Sequence, residues 1–174
     1  MDDMDIRIRK EEKEDHHRVY EVNRLAFGQE NESRLVDMIR NGANFIPDLS
    51  LVAELGDEIV GYSLLSKIII AGNDVHESLA LAPVAVVLEH QKQGIGSKLI
   101  TTGLDEARRL GFFSAIVLGH AEYYPRFGFQ KASIWGIRCP FEVPDESFMA
   151  IELRENALEN IAGTVNYPSE FMDL

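Results

Sequence analysis

A glycine-containing loop between an apolar segment and an amphipathic helix most constrains the fold of this chain. Residues 79–88 are apolar throughout, including Pro83, and residues 91–96 then read Gln-Lys-Gln-Gly-Ile-Gly. Beyond Gly96 the apolar side chains recur at the spacing of a helix with one buried face. These side chains are Leu99, Ile100, Leu104, Ala107 and Leu110. The pattern predicts a strand, a tight loop and a helix that stops at Gly111.

The chemistry of this loop favours an anionic ligand. The first turn of a helix presents backbone N–H groups without intrahelical partners and the positive end of the helix dipole. Gly94 and Gly96 let a ligand approach that backbone closely. A P-loop would need a Gly-Lys-Ser/Thr ending, and a dinucleotide fingerprint would need a third glycine where Leu99 stands. A nucleotide-like cofactor is therefore the leading hypothesis, and glycines that serve only chain geometry are the alternative.

A second motif follows the predicted helix. Residues 114–119 read as a buried strand, and residues 123–129 then read Tyr-Tyr-Pro-Arg-Phe-Gly-Phe. The order Gln-x-x-Gly-x-Gly, helix, strand and Tyr-x-x-x-Gly-Phe resembles the GCN5-related N-acetyltransferases. Residues 83–86, 138–140 and 143–150 are similar to the YhbS-type branch of that family, and the likeness extends over about residues 6–158.

The resemblance implies an α+β fold in α/β/α layers. Its central sheet would be mixed, largely antiparallel and splayed at a cofactor cleft. The length suits one domain over residues 1–174, with 156–174 as an added edge strand or a loosely held tail. Hydrophobic periodicity predicts helices over 11–27 and 31–41 and a hairpin of strands 51–55 and 59–70. Short strands are predicted around 132–134 and 148–153.

The resemblance also implies that acetyl-CoA is the cosubstrate. Its pantetheine arm would add to the strand end formed by Val84, Ala85 and Val86. Its pyrophosphate would lie among the loop and first-turn residues. These are Lys92, Gln93, Gly94, Ile95, Gly96 and Ser97. Leu88 departs from the family, which often has proline at that point.

The implied reaction is attack of a neutral primary amine, from a small molecule or a protein, on the thioester. Tyr124 takes the position of the family's tyrosine and is the candidate general acid for the leaving thiolate. The alternative is that Tyr124 only packs over the cofactor, and Tyr123 is expected in the core. His120 is a candidate base, with His76 and Glu77 as comparable candidates and water relays as a further possibility.

Three further residues, between positions 135 and 139, have expected roles outside the reaction itself. Trp135 and Arg138 are candidates to line the acceptor pocket, although Trp135 is equally suited to ordinary packing. Cys139 has no identifiable histidine and acid partners, so a packed or pocket-lining role is expected instead of a nucleophilic one. A lone cysteine cannot form an intrachain disulfide, and the histidine spacing predicts no metal site.

Composition narrows the classes of function. The 29 acidic and 17 basic side chains give a net charge of −12, which argues against nucleic-acid binding. Residues 1–5 are acidic and unlike a signal peptide, and the longest apolar run is shorter than the roughly 20 residues of a membrane helix. A cytoplasmic protein without a membrane partner is expected, and dimers are common in the resembling family. The competing hypotheses are a non-catalytic acyl-CoA-binding or regulatory module and an interaction domain with an empty cleft.

Overall fold

The computed structural model describes residues 5–172, which form a nine-stranded sheet and three α-helices. The strands are β1 Ile6–Lys10, β2 Ser50–Leu55, β3 Glu58–Ala71, β4 Val75–Val86, β5 Ser114–Leu118, β6 Gln130–Lys131, β7 Ile137–Arg138, β8 Phe148–Glu152 and β9 Gly163–Asn166. The helices are α1 His16–Phe27, α2 Asn31–Arg40 and α3 Ile95–Arg109. The acidic residues 1–4 and the last two residues of the predicted tail lie outside the described part.

The sheet is mixed and largely antiparallel. Its main path runs β1-β2-β3-β4-β5-β8-β6, and β9 pairs with both β3 and β7. The β4–β5 and β7–β9 pairs are parallel, and the other pairs are antiparallel. The predicted α+β class and the largely antiparallel sheet are confirmed.

Helices cover both faces of the sheet. A side chain at Gly61 would contact Leu99 of α3, so this face of β3 lies under α3. Successive residues of a strand point to opposite faces. The neighbouring Tyr62 accordingly faces the other way, where its hydroxyl lies 2.7 Å from Ser50 Oγ. Ser50 bonds Glu11, which pairs with Arg40 of α2, so α2 covers this second face.

The sheet opens between the carboxyl-terminal halves of β4 and β5. The parallel pair has one recorded register point, Ala80 opposite Ile116. Beyond it, β4 continues to Val86 against β3 alone, while the N–H of Gly119 donates to the Ser147 carbonyl beyond the start of β8. We call the gap between residues 82–86 and residues 118–120 the fork.

Two local predictions differ from the structure. The first helix begins at His16, not at residue 11, because Asp15 accepts the Glu12 N–H at 2.7 Å and closes a short 3-10 turn first. Residues 132–134 belong to a 3-10 helix that ends at Gly136, with φ of 75°, so the predicted strand there is wrong. The short strand lies just before it, at Gln130–Lys131.

The carboxyl-terminal segment is integrated into the sheet. Ile69, Ile70 and Ala71 of β3 pair with residues 164–166 of β9, and Val165 is fully buried. A short 3-10 helix, Ser169–Phe171, then packs against the cores on the α1 and α2 side. Residues 163–166 therefore form a strand that is paired on both sides, with β3 and with β7.

A buried ion pair ties α2 to the sheet. Arg40 donates to Glu11 through Nε at 3.1 Å and through a terminal nitrogen at 2.6 Å. The two side chains are only 10% and 2% exposed. Removing one partner of such a pair leaves the other charge buried without compensation.

We expect Arg40→Met to lower the free energy of unfolding by about 3–5 kcal/mol, because the buried Glu11 carboxylate would lose its guanidinium partner. Arg34→Met on the same helix is the matched control, since the Arg34–Glu30 pair is exposed and worth at most about 1 kcal/mol. Urea unfolding of both variants measures the difference. Equal losses would contradict the structural role of the Glu11–Arg40 pair.

Candidate functional site

A cavity of about 600 Å³ lies at the fork, bounded by β4, the amino-terminal end of α3 and the segment after β5. Nine residues that the sequence singled out line it, namely Val84, Val86, Lys92, Gly94, Ile95, Gly96, Ser97, His120 and Tyr124. Four further residues line it without having been assigned a site role, namely His90, Gln91, Tyr123 and Arg126. The two motifs therefore meet in one cavity, although they are separated in sequence.

Two residues of the predicted cofactor set do not line the cavity. Ala85 is 2% exposed and packs in the core, because the alternation of β4 sends Val84 and Val86 to the cavity and Ala85 to the other face. Gln93 is exposed and its side chain reaches back to the Glu89 carbonyl at 3.5 Å. Any contact of Ala85 with a ligand would involve its main chain.

The loop before α3 brings unpaired backbone donors to the cavity. Lys98 N–H donates to the Gly94 carbonyl at 3.0 Å, so the N–H groups of Ile95, Gly96 and Ser97 precede this bond in the first turn. Gly94 has φ of 85°, in the left-handed region that favours glycine, and the space where its side chain would stand is open. This geometry fits an anionic group at the helix terminus.

The Gln91 side chain holds the loop against the strand. Its Nε2 donates to the Val86 carbonyl at 2.9 Å, across the turn between β4 and α3. Gln91 is the first residue of the Gln-x-x-Gly-x-Gly pattern, so a signal for its role was present in the sequence. The contact fixes where the helix terminus lies relative to the fork.

The cavity is cationic in an acidic protein. Lys92 and Arg126 line it together with two histidines, and no aspartate or glutamate is among the described residues that do so. The whole chain carries a net charge of −12. The distribution of charge therefore favours an anion at this cavity, in contrast to the acidic chain as a whole.

Tyr123 lines this cavity and also packs against the core, so its predicted core contact is only part of its position. Its hydroxyl lies 3.1 Å from Ser97 Oγ, and its ring is half-buried. The Arg126 guanidinium lies 4.6 Å from the centre of that ring, and Arg126 Nε donates to the Tyr123 carbonyl. Tyr123 thus connects the helix terminus to the cationic side of the cavity.

Tyr124 lies beside Tyr123 with its ring against the core. The ring meets Tyr123 and Phe129 edge to face, at centroid distances of 5.2 and 5.8 Å. Burial, reinforced by Tyr123, raises the pKa of Tyr124 to about 12, so its phenol is protonated at neutral pH. Among the hydrogen bonds within residues 5–172, none involves the Tyr124 hydroxyl, which leaves it able to donate to a ligand.

Residues 13–129 match the sequence model of the acetyltransferase (GNAT) family. The chain belongs to this family. It is therefore a member of an acyltransferase family, and its resemblance to the GCN5-related N-acetyltransferases is confirmed.

Two curated relatives come from Escherichia coli. YjhQ of strain K12, named an uncharacterized N-acetyltransferase, is 37% identical over 78% of this chain and 76% of its own length. YhbS, which bears the same description, is 28% identical over 85% of this chain and 87% of its own length. The predicted likeness to the YhbS-type branch is thus confirmed.

Two solved structures share the architecture. The E. coli YhbS structure in complex with CoA superposes with a TM-score of 0.91 at 27% identity and covers 100% of this chain and 96% of its own. A GNAT acetyltransferase from Brucella melitensis in complex with acetyl-CoA gives 0.79 at 29% identity, with coverage of 97% and 99%.

The three candidate bases lie in two different cavities. His120 is exposed at the rim of the cavity, and its carbonyl accepts the N–H groups of Tyr123 and Tyr124 at 3.0 and 3.3 Å. His76 and Glu77 instead line a second cavity, with residues 110–114, near the start of β4. Glu77 and Val84 are seven positions apart on β4, which corresponds to a distance of roughly 23 Å along the strand. The structure therefore places His76 and Glu77 away from the cavity that His120 lines.

The other singled-out residues lie away from this cavity. Trp135 packs against the core cluster of β3, β8 and β9, and Arg138 lies exposed on β7. Cys139 packs against the same cluster, and burial raises the pKa of its thiol. The raised pKa opposes formation of a thiolate, which agrees with a packing role.

The described residues contain neither a metal-binding cluster nor a membrane-spanning helix. No group of three or more histidine, cysteine, aspartate or glutamate side chains within residues 5–172 is arranged to hold a metal ion. In the same range, no helix has both the length and the hydropathy needed to cross a bilayer.

We expect Gly96→Val to weaken CoA binding at least about tenfold, roughly 1.4 kcal/mol. A Cβ at Gly96 would lie 3.3 Å from the Tyr123 hydroxyl, and the two methyl groups would occupy the space beside the helix terminus. Thr101→Val, at an exposed position of the same helix, is the control. Isothermal titration calorimetry measures both, and an unchanged dissociation constant for Gly96→Val would exclude this terminus as the binding site.

We expect Gly119→Ala to reduce turnover without unfolding the protein. The backbone of Gly119 is outside the left-handed region, but a Cβ would lie 3.0 Å from Tyr124 Cδ2 and closer still to Cε2. The ring would have to move, and a misplacement of about 1 Å costs about a hundredfold in rate. A steady-state assay gives the rate, and thermal unfolding verifies the fold. A variant with normal turnover would show that the position of Tyr124 is unimportant.

Proposed function

We propose that this protein transfers an acetyl group from acetyl-CoA to a primary amine by direct attack of the amine on the thioester. The observation that carries the proposal is the cationic cavity at the fork, which combines a free helix terminus with the Tyr124 hydroxyl. The CoA and acetyl-CoA complexes of the two similar structures support the same ligand.

The chain offers a binding partner for each part of this cosubstrate. The N–H groups of Ile95, Gly96 and Ser97, with Lys92 and Arg126 nearby, would hold the diphosphate. The edge of β4 at residues 84–86 has no strand pairing on its β5 side within the described residues, so it can accept the amides of the pantetheine arm. Gln91 already binds the Val86 carbonyl and marks the end of that edge.

When bound, acetyl-CoA supplies an acetyl group activated as a thioester. Backbone N–H groups at the free edge of β4 would stabilise the negative charge that develops on the carbonyl oxygen. Tyr124 would donate its phenolic proton to the departing sulfur, and its raised pKa keeps that proton available at neutral pH. His120, at the rim of the cavity, is our candidate to remove a proton from the incoming ammonium group.

Thermal unfolding with different nucleotides tests the cavity assignment. Acetyl-CoA and CoA at a hundred times their dissociation constants are expected to stabilise the protein by about 2.7 kcal/mol, whereas ATP is expected to have little effect. Release of free thiol in the presence of amines then tests turnover. Stabilisation without thiol release would favour the alternative of a non-catalytic acyl-CoA-binding module, and no stabilisation would contradict both.

We expect Tyr124→Phe to reduce kcat by about 10²- to 10⁴-fold while changing the dissociation constant of CoA little. Because burial raises the pKa of Tyr124 to about 12, the wild-type rate should show no loss from ionisation of this phenol below about pH 11. Tyr123→Phe provides a comparison at the neighbouring ring. A pH–rate profile with normal kcat for Tyr124→Phe at every pH would remove Tyr124 from the acid role.

A further inference from the structure

A second, smaller cavity reaches the same fork from the other face of the sheet. It has a volume of about 200 Å³, and we call it the slot. Its lining includes Ala80, Ala82, Leu118, Phe141, Tyr167 and Phe171. Ala80 belongs to the core cluster of β3, β8 and β9, whereas Val84 and Tyr124 pack against the cluster that contains the α3 side chains.

The slot and the cofactor cavity meet at neighbouring residues on both strands. On β4, Ala82 lines the slot and Val84 lines the cofactor cavity, because the register of β4 against β3 shifts by one residue between Leu81 and Val84 and interrupts the alternation there. After β5 the same relation holds between Leu118 and His120. A thioester held at the fork would therefore have the cofactor on one side and the open end of the slot on the other.

Aromatic rings form the outer wall of the slot. Phe141 and Tyr167 stack at 15° with centroids 5.8 Å apart, and Phe171 lies 5.1 Å from Tyr167. Leu118 is 44% exposed and Phe141 is 39% exposed at the mouth. Large apolar side chains left open to solvent at a concave site mark a surface that an apolar ligand can cover.

The lining determines what the slot can take. None of the described residues that line it is charged, so it offers no partner for a cationic group. A cavity of about 150 Å³ lined by apolar side chains is large enough to bind benzene, so the slot has room for one aromatic ring. The two small alanines on β4 provide that room.

We propose that the slot binds the apolar group of the acceptor, and that the acceptor is a small primary amine joined to an aromatic ring by a short linker. This inference rests on the proposed acetyl transfer and adds the class of substrate. Phe141, Tyr167 and Phe171 lie beyond residues 13–129, the part that matches the family model, so the ring wall is a feature of this chain's carboxyl-terminal region.

The first test compares 2-phenylethylamine with ethanolamine in the thiol-release assay with acetyl-CoA. We expect 2-phenylethylamine to have a kcat/KM at least about tenfold higher, since it alone fills the slot. Ala82→Phe places a ring in the slot and should bring the two values together while leaving the dissociation constant of CoA unchanged. Equal values for the wild type, or a preference that survives Ala82→Phe, would overturn the proposal.

Two further variants test whether a change in amine preference comes from the slot itself. Val75→Phe adds the same ring at an exposed position of the same strand and should keep the preference of the wild type. Phe141→Ala removes part of the wall at a half-exposed position and should lower the preference for 2-phenylethylamine, which keeps the test valid if Ala82→Phe does not fold. A loss of preference in Val75→Phe equal to that in Ala82→Phe would overturn the assignment.

Two more measurements distinguish failure of the slot proposal from failure of the proposed reaction, and an amine in the slot from an acyl chain in the slot. If no amine releases thiol, the proposed function fails, and the slot is judged by whether 2-phenylethylamine raises the Tm of the CoA-loaded wild type but not of Ala82→Phe. No such rise would overturn the slot. If Ala82→Phe changes the ratio of hexanoyl-CoA to acetyl-CoA turnover and leaves the amine preference intact, the slot holds the acyl chain and the proposal is wrong.

Discussion

The early separation of β4 from β5 is the constraint on which the rest of the site depends. The two strands have one register point, at Ala80 and Ile116, and then diverge. Pro83 has no N–H to donate to a neighbouring strand, and the β3–β4 register shifts between Ser63 and Leu65, opposite the same stretch. The chain after β5 meanwhile bonds to Ser147 through Gly119. A continuous ladder here would have closed the fork and left no room for a ligand.

The open fork would be costly without groups that use its free edge. Unpaired backbone N–H and C=O groups need partners, and the Gln91 side chain supplies one at Val86. The first turn of α3 adds further unpaired donors at the same place. Because Lys92 and Arg126 line this cavity and no carboxylate among residues 5–172 does, this concentration of donors carries a positive potential within an acidic protein. An anionic ligand that contains amides can pair with the free edge of β4, accept the N–H groups of the α3 terminus and match the positive potential.

The sequence predicted those parts of the site that depend on local chain geometry. The glycine loop and the helix terminus follow from spacings within a few residues, whereas Tyr124 was assigned from the family resemblance. The structure brings all three to one cavity. Alternation along a strand puts Ala85 on the opposite face from Val84 and Val86. The burial of its side chain could therefore have been predicted from the sequence. The direction of the Tyr123 ring was not predictable in this way, because it depends on Ser97 and Arg126 after folding.

Local sequence patterns also predicted part of the fold. Alternation and turn residues located the long hairpin, whereas the 3-10 helix Ala132–Trp135 replaced a predicted strand because Gly136 closes the turn. His76 and Glu77 were compared with His120 as bases without regard to the length of β4, which carries them to the far end of the sheet. The slot depends on long-range contacts among β4, β5 and residues 141–171, and no local pattern indicates such contacts.

The two cavities at the fork lie on opposite faces of the sheet and differ in the chemistry of their linings. Anion-binding groups lie on the α3 face, and uncharged apolar side chains lie on the face that β9 and the segment after it partly cover. An ammonium group that enters from the apolar side loses hydration and gains no carboxylate, and desolvation of this kind lowers the pKa of an amine. The acceptor would therefore reach the thioester with its neutral form favoured. In this arrangement the apolar lining contributes to reactivity as well as to selectivity, and the demand on any general base is correspondingly reduced.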